Sequence, residues 1–161
     1  MPVLSSGDKV PRVHPDAVVS TSATLIGDVV VEADCSIGHD AVLRGDLAPV
    51  LVRSGATIQN GAVLHAPAGA PVEIGRDATI ANRCCVQGAR IGARTVVADG
   101  AIILTDAIVG ADCAVAAGAV VLGGTCVPDR MLITGRPATG WSPRTTEVGP
   151  SRAYDRIDVA G

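Results

Sequence analysis

The chain has 161 residues, a formal net charge of −3 and an isoelectric point near 5.5, the size of one domain with tails. Its basic residues are scattered, and all but Lys9 are Arg, so it lacks the clustered cationic face that nucleic-acid binding requires. Apolar residues make up 48% but aromatics only 1%, with no Phe, one Tyr and one Trp. This argues against a wide globular core and for a narrow, repetitive interior filled by Val, Ile, Leu and Ala.

Residues 1–12 read as an N-terminal extension without an apolar signal-peptide segment. No apolar run approaches the ~20 residues that cross a bilayer, and a cytoplasmic location is expected. From Val13 a six-residue period begins: Val13, Val19, Val31, Ile37, Leu43, Val52, Ile58, Leu64, Ile74, Ile80, Val86, Ile91, Val97, Ile103, Val109, Val115, Val121 and Val127, with a few shortened or expanded steps. Four residues after many of these stands a small residue, among them Ala17, Cys35, Ala56, Cys84, Thr95, Ala107 and Cys113. A period of six does not match the 3.6 of an α-helix, and repeated Gly and β-branched residues oppose one. Each unit gives one short strand and one turn, and three units close a triangular coil. Coils stack about 4.8 Å apart as parallel strands.

Gly follows the aliphatic residue at Gly38, Gly75, Gly92 and Gly110, where a tight turn excludes a side chain. Cys35, Cys84 and Cys113 occupy the small inward slot and read as packing residues. Cys85 and Cys126 fall on the turn side and are the better candidates for a reactive thiol. Five cysteines without a C-x-x-C pair form neither a disulfide framework nor a zinc motif. The repeat resembles that of hexapeptide-repeat proteins, which implies an all-β, left-handed parallel β-helix over 13–138. Residues 139–161 form a tail in which Gly140, Pro143, Gly149 and Pro150 break any long helix, leaving a short one expected over 151–158.

More specific motifs lie inside the repeat. Ala41-Val42-Leu43-Arg44-Gly45-Asp46, then Ile58-Gln59-Asn60-Gly61-Ala62-Val63-Leu64-His65, then Ile74-Gly75, and later Gly135-Arg136-Pro137-Ala138 resemble the γ-class carbonic anhydrases. The resemblance implies a homotrimer in which three histidines hold a zinc ion at the seam between subunits. Such a zinc lowers the pKa of bound water from 15.7 to about 7. Here the first ligand position is His65, but the second is Asn82 and the third Gln87. Two imidazoles are replaced by weak amide donors, so neither zinc nor carbonic anhydrase activity is expected. His14 and His39 precede the motif and read as turn or surface residues.

The resemblance also assigns Arg44 and Asp46 to the subunit interface and retains Gln59, while Thr57 and Asn60 depart from the family pattern. Asp99, one coil of about 17 residues beyond Asn82, is expected near the same seam, where it would orient His65 as a carboxylate–imidazole pair. Tyr154 is the candidate for a tail tyrosine that reaches the site. Three functions compete. The first is a metal-independent enzyme acting on a carbonyl or acyl small molecule in the intersubunit cleft, with His65 as acid or base and Gln59, Asn82 and Gln87 as hydrogen-bond donors. The others are a non-catalytic trimeric assembly or ligand-binding protein, and a hexapeptide acyltransferase. The partners expected are two further copies and a small molecule, with no nucleic acid and no membrane.

Overall fold

The computed structural model describes residues 2–145, which wind as a three-sided parallel solenoid. Its rungs are strands of mostly two or three residues, each paired in register with its equivalent one coil away. On the first side the rows are Thr24 to Gly27, Val42 to Gly45, Val63–His65, Cys85–Gln87, Ile102–Ile103 and Val120–Val121. The second side carries Arg12–Val13, Val29 to Val31, Val50 to Val52, Val72–Ile74, Arg90–Ile91, Ile108–Val109 and Cys126–Val127. The third runs from Val18–Val19 to Met131–Ile133. The first two sides merge into one 12-stranded sheet because Thr24–Val31 and Val42–Val52 run unbroken through their common corner.

That corner is passed by glycine. A Cβ on Gly27, whose φ is +74°, would lie 2.6 Å from the Gly45 carbonyl oxygen. At Gly38, Gly75, Gly92 and Gly110 the obstruction expected from the repeat is present, but its cause is stacking rather than backbone angle. A Cβ on Gly75, for instance, would sit 2.6 Å from the Ala93 nitrogen of the next coil. The left-handed residue comes two positions later, at Asp40, Asp77, Arg94 and Asp112, with φ between 55° and 56° for three of them and 57° for Arg94.

The interior is a column of aliphatic residues interleaved with small ones. Leu25, Leu43, Leu64, Val86, Ile103 and Val121 are fully buried on one side, with Ala23, Ala41, Ala62, Cys84, Ala101 and Ala119 beside them. Cys35, Cys84 and Cys113 are buried as expected, and their thiols lie 3.1 to 3.2 Å from the carbonyl oxygens of Arg53, Ala98 and Pro128. Burial raises all three thiol pKa values, that of Cys84 to about 11, which removes the thiolate that chemistry would need. Burial raises that of half-buried Cys85 as well, while Cys126 is exposed.

Charge is organised at the corners. Arg94 donates to both oxygens of Asp112 at 2.8 Å, and Arg53 bridges Glu32 and Glu73 at 2.9 Å. The hydrogen bonds from Arg94 hold the Asp112 carboxyl below its ordinary range, and those from Arg53 do the same for Glu32.

The two ends are finished differently from the middle. Val3–Leu4 in the extension pairs parallel with Leu25 and Ile26. At the other end Trp141–Pro143 turns antiparallel against Met131–Ile133, and Arg144 donates to the Asp112 carbonyl at 2.9 Å. On the second side, His14, Glu32, Arg53, Gly75, Gly92 and Gly110 each donate a backbone N–H to the following coil. The next residue of that row is Pro128. The helix expected over 151–158 and Tyr154 lie outside the described residues.

These ion pairs predict acid sensitivity. A carboxyl whose folded pKa is depressed adds stability above its unfolded value, and that stability is lost as pH falls through the folded value. Melting followed by circular dichroism should therefore show a falling midpoint below about pH 4. Arg94→Gln should lower the neutral-pH midpoint only slightly, because the pair is solvent-exposed, and flatten the acid limb.

Candidate functional site

Two rows of polar residues bracket the first side. At its far end Arg44 pairs in register with His65, and His65 with Gln87, so three residues singled out in the sequence stack on consecutive coils about 4.8 Å apart. At the near end stand His39, Asn60, Asn82 and Asp99, which line a shared surface depression of about 380 Å³ with Asp40, Gly61 and Arg83. The turn at Asn82 and Arg83 and the strand Cys85–Gln87 separate the two rows.

The near row is a ladder of side-chain caps. Asn60 Oδ1 accepts from the His39 N–H at 2.9 Å, Asn82 Oδ1 from the Asn60 N–H at 3.2 Å, and Asp99 Oδ1 from the Asn82 N–H at 2.9 Å. Asp99 Oδ1 also accepts from Asn82 Nδ2 at 3.2 Å. The expected pairing of Asp99 with His65 is therefore not formed within the chain. The register places Asp99 under Asn82, at the opposite end of the side from His65. His39 is exposed and its Nδ1 lies 2.7 Å from Ser20 Oγ, while His14 Nδ1 accepts from the Asp16 N–H at 3.1 Å. Both are turn residues, as expected.

The far row is less satisfied. His65 is half-buried, and its Nε2 is enclosed without a hydrogen-bond partner among the described residues. At the near end, beside Asn60, Gln59 is 4% exposed and its Oε1 is likewise without a partner. An unpaired buried polar atom costs roughly 1–3 kcal/mol, so both atoms carry unmet hydrogen-bonding capacity within the chain. Arg44 is held within its own strand: its Nε and Nη2 both lie 2.8 Å from Asp46 Oδ2, and Asp46 Oδ1 accepts from the Leu47 N–H at 3.1 Å. The Arg44 hydrogen bond depresses the Asp46 pKa. Arg44, His65 and Gln87 thus come together, while Asn82 and Asp99 form a second group, and a single chain does not join them.

Between the rows the outward residues of the first side are Val42, Val63, Cys85, Ile102 and Val120, without a charge among them; Val63 is 37% exposed. Three residues escaped notice in the sequence. Arg83 occupies the left-handed position of the near corner at φ 55°. Arg90 and Asp106 line a separate notch of about 370 Å³ around the corner from Gln87. The signal for the notch was the shortened step from Val86 to Ile91, five residues instead of six.

No protein-family profile matches the chain. Solved structures do match its shape. A hexapeptide transferase family protein from Anaplasma phagocytophilum superposes with a TM-score of 0.86 at 29% identity, covering 91% of this chain and 86% of that one. A candidate acetyltransferase from Bacillus cereus gives 0.87 at 27% identity, covering 90% and 84%. The chain belongs to the hexapeptide-repeat, left-handed β-helix superfamily. Among curated proteins it is similar to the carnitine operon protein CaiE of Escherichia coli K12, 37% identical over 129 residues. That match covers 80% of this chain and 66% of the relative's length. Among the described residues no helix is long and apolar enough to cross a membrane.

The cap ladder makes a structural prediction. Asn82→Ala leaves the Asn60 N–H uncapped and should lower the urea-unfolding free energy by about 1 kcal/mol, whether or not Asn82 also touches a ligand.

Proposed function

We propose that this chain is a subunit of a homotrimeric acyltransferase of the hexapeptide class, acting at the seam between subunits with His65 as general base. The observation that carries the reading is the enclosed, unpartnered Nε2 of His65, stacked between Arg44 and Gln87. The names of the two structural neighbours, a hexapeptide transferase family protein and a candidate acetyltransferase, favour acyl transfer over hydration of CO₂. The charge-free outward row from Val42 to Val120 supports self-association, since such a stripe is better covered than solvated.

The γ-class resemblance enters as the source of the seam. The far row of one subunit would meet Asn82 of the partner subunit, completing what one chain leaves apart. One imidazole and two amides do not fit a three-imidazole zinc site, so the proposed chemistry runs without a metal. His65 takes the proton of an acceptor hydroxyl or amine as that atom attacks a thioester carbonyl, such as that of an acyl-coenzyme A. The carbon–sulfur bond then breaks, and the leaving thiolate recovers the proton from His65. The Gln87 amide is assigned as a donor to the carbonyl oxygen while it carries negative charge.

A second reading is a non-catalytic trimeric ligand-binding protein, favoured by the commitment of Asn82 and Asp99 to backbone capping. The two diverge on His65→Ala. Acyl transfer predicts a 10²-fold or greater loss of thiol release from acetyl-coenzyme A, with the oligomer intact by light scattering. Turnover that survives the substitution rules out His65 as the base. Absence of turnover in the parent protein, with no rise in melting temperature on adding coenzyme A, leaves the binding-protein reading. Ile102→Asp should convert trimer to monomer on the same light-scattering measurement. A parent protein that is already monomeric would remove the seam altogether.

A further inference from the structure

The notch at the corner between the first and second sides exists because successive coils pass that corner with unequal lengths of chain. Between His65 and Val72 the chain spends residues 66–71, and between Leu104 and Ala107 it spends Thr105 and Asp106, but between Gln87 and Ala89 only Gly88. Gly88 takes φ +53°, and a Cβ there would lie 2.8 Å from Ala70 Cβ and 3.1 Å from Thr105 Cγ2. The contracted coil is therefore recessed between two fuller ones. The recess, about 370 Å³, opens one residue beyond Gln87.

Its lining is amphipathic. Ala70, Pro71 and Ile108, the last 44% exposed, supply apolar wall. Arg90 and Asp106 supply one charge of each sign. Neither side chain makes a hydrogen bond or ion pair among the described residues, whereas the corner pairs Arg94 with Asp112 and Arg53 with Glu32 are closed at 2.8 to 2.9 Å. Glu73, opposite Arg90 in register, is engaged by Arg53 instead. A guanidinium left open in a recess of small-molecule size matches a carboxylate bidentately. A carboxylate beside it matches an ammonium or hydroxyl of the same ligand.

From this juxtaposition we infer that the notch binds a small carboxylic acid that also carries an amine or hydroxyl group, its carboxylate on Arg90 and its donor group on Asp106. Under the acyl-transfer reading, on which only the use of the ligand rests, this is the acceptor. Binding itself does not depend on transfer.

The test is calorimetric titration of the full chain with 4-aminobutyrate, butyrate and butylamine. The parent protein should bind 4-aminobutyrate about tenfold more tightly than either truncated probe. Arg90→Gln should weaken 4-aminobutyrate and butyrate about tenfold, and Asp106→Asn should weaken 4-aminobutyrate but not butyrate. Both variants should keep the parent melting temperature: the side chains are unpartnered, and Asn tolerates the left-handed backbone of Asp106, φ 64°. No binding of 4-aminobutyrate to the parent, or equal binding to Arg90→Gln, overturns the inference. Acyl transfer that persists with an unchanged acceptor KM in Arg90→Gln removes the notch as the acceptor site and leaves the transferase standing. Binding that depends on Arg90, without transfer from any thioester, sustains the notch and removes the transferase.

Discussion

Everything in this molecule follows from the contact between one coil and the next. Parallel rungs about 4.8 Å apart leave a triangular bore that accepts, on each side, one aliphatic side chain and one small neighbour. Leu25, Leu43 and Leu64 stacked beside Ala23, Ala41 and Ala62 are buried along one of its sides. Aromatic rings have no place in such a bore. Where the backbone of one coil presses on the turn of the next, as at Gly75 and Gly92, no side chain is admitted at all.

A filled bore pushes chemistry outward. Apart from the three core thiols and the buried Gln59, the titratable and amide side chains discussed above sit at a corner or on an outer row, in vertical register with residues of like position. Registers of this kind create one-dimensional polar strips, such as Arg44, His65 and Gln87, or His39, Asn60, Asn82 and Asp99, and keep separate strips apart by the width of a side. A constellation with depth can arise only where two strips meet across a seam or where a coil changes length. The first defines the proposed site around His65, and the second the notch beside Gly88.

The six-residue period made the core almost fully legible. The aliphatic positions from Ile37 to Val127 are buried, as are nearly all the small slots. Cys35, Cys84 and Cys113 were placed inward because their spacing matched that of Ala41 and Ala62. The outer rows were harder to read, because the period states which residues point in but not which outer residues share a strip. Asp99 was set near His65 by counting one coil from Asn82. The count was right and places it below Asn82, where it caps a backbone N–H instead of orienting an imidazole. The glycines after the aliphatic positions answer to crowding by the next coil, while the left-handed turn positions are shared between Asp or Arg, as at Asp40, Asp77 and Arg94, and glycine, as at Gly55, Gly61 and Gly100. The shortened step at Val86 was visible, but its meaning as a recess depends on the lengths of the coils above and below it.

The row of backbone donors that ends at Pro128 has a consequence for the population of molecules rather than for one. A stack of identical rungs has no intrinsic reason to stop, and its last coil offers amide hydrogens to the first strand that approaches. Proline removes the hydrogen at the position from which six earlier coils donate, and the reversed strand Trp141–Pro143 occupies the neighbouring side. The solenoid thereby carries its own stop signal, which favours discrete particles over end-to-end fibres.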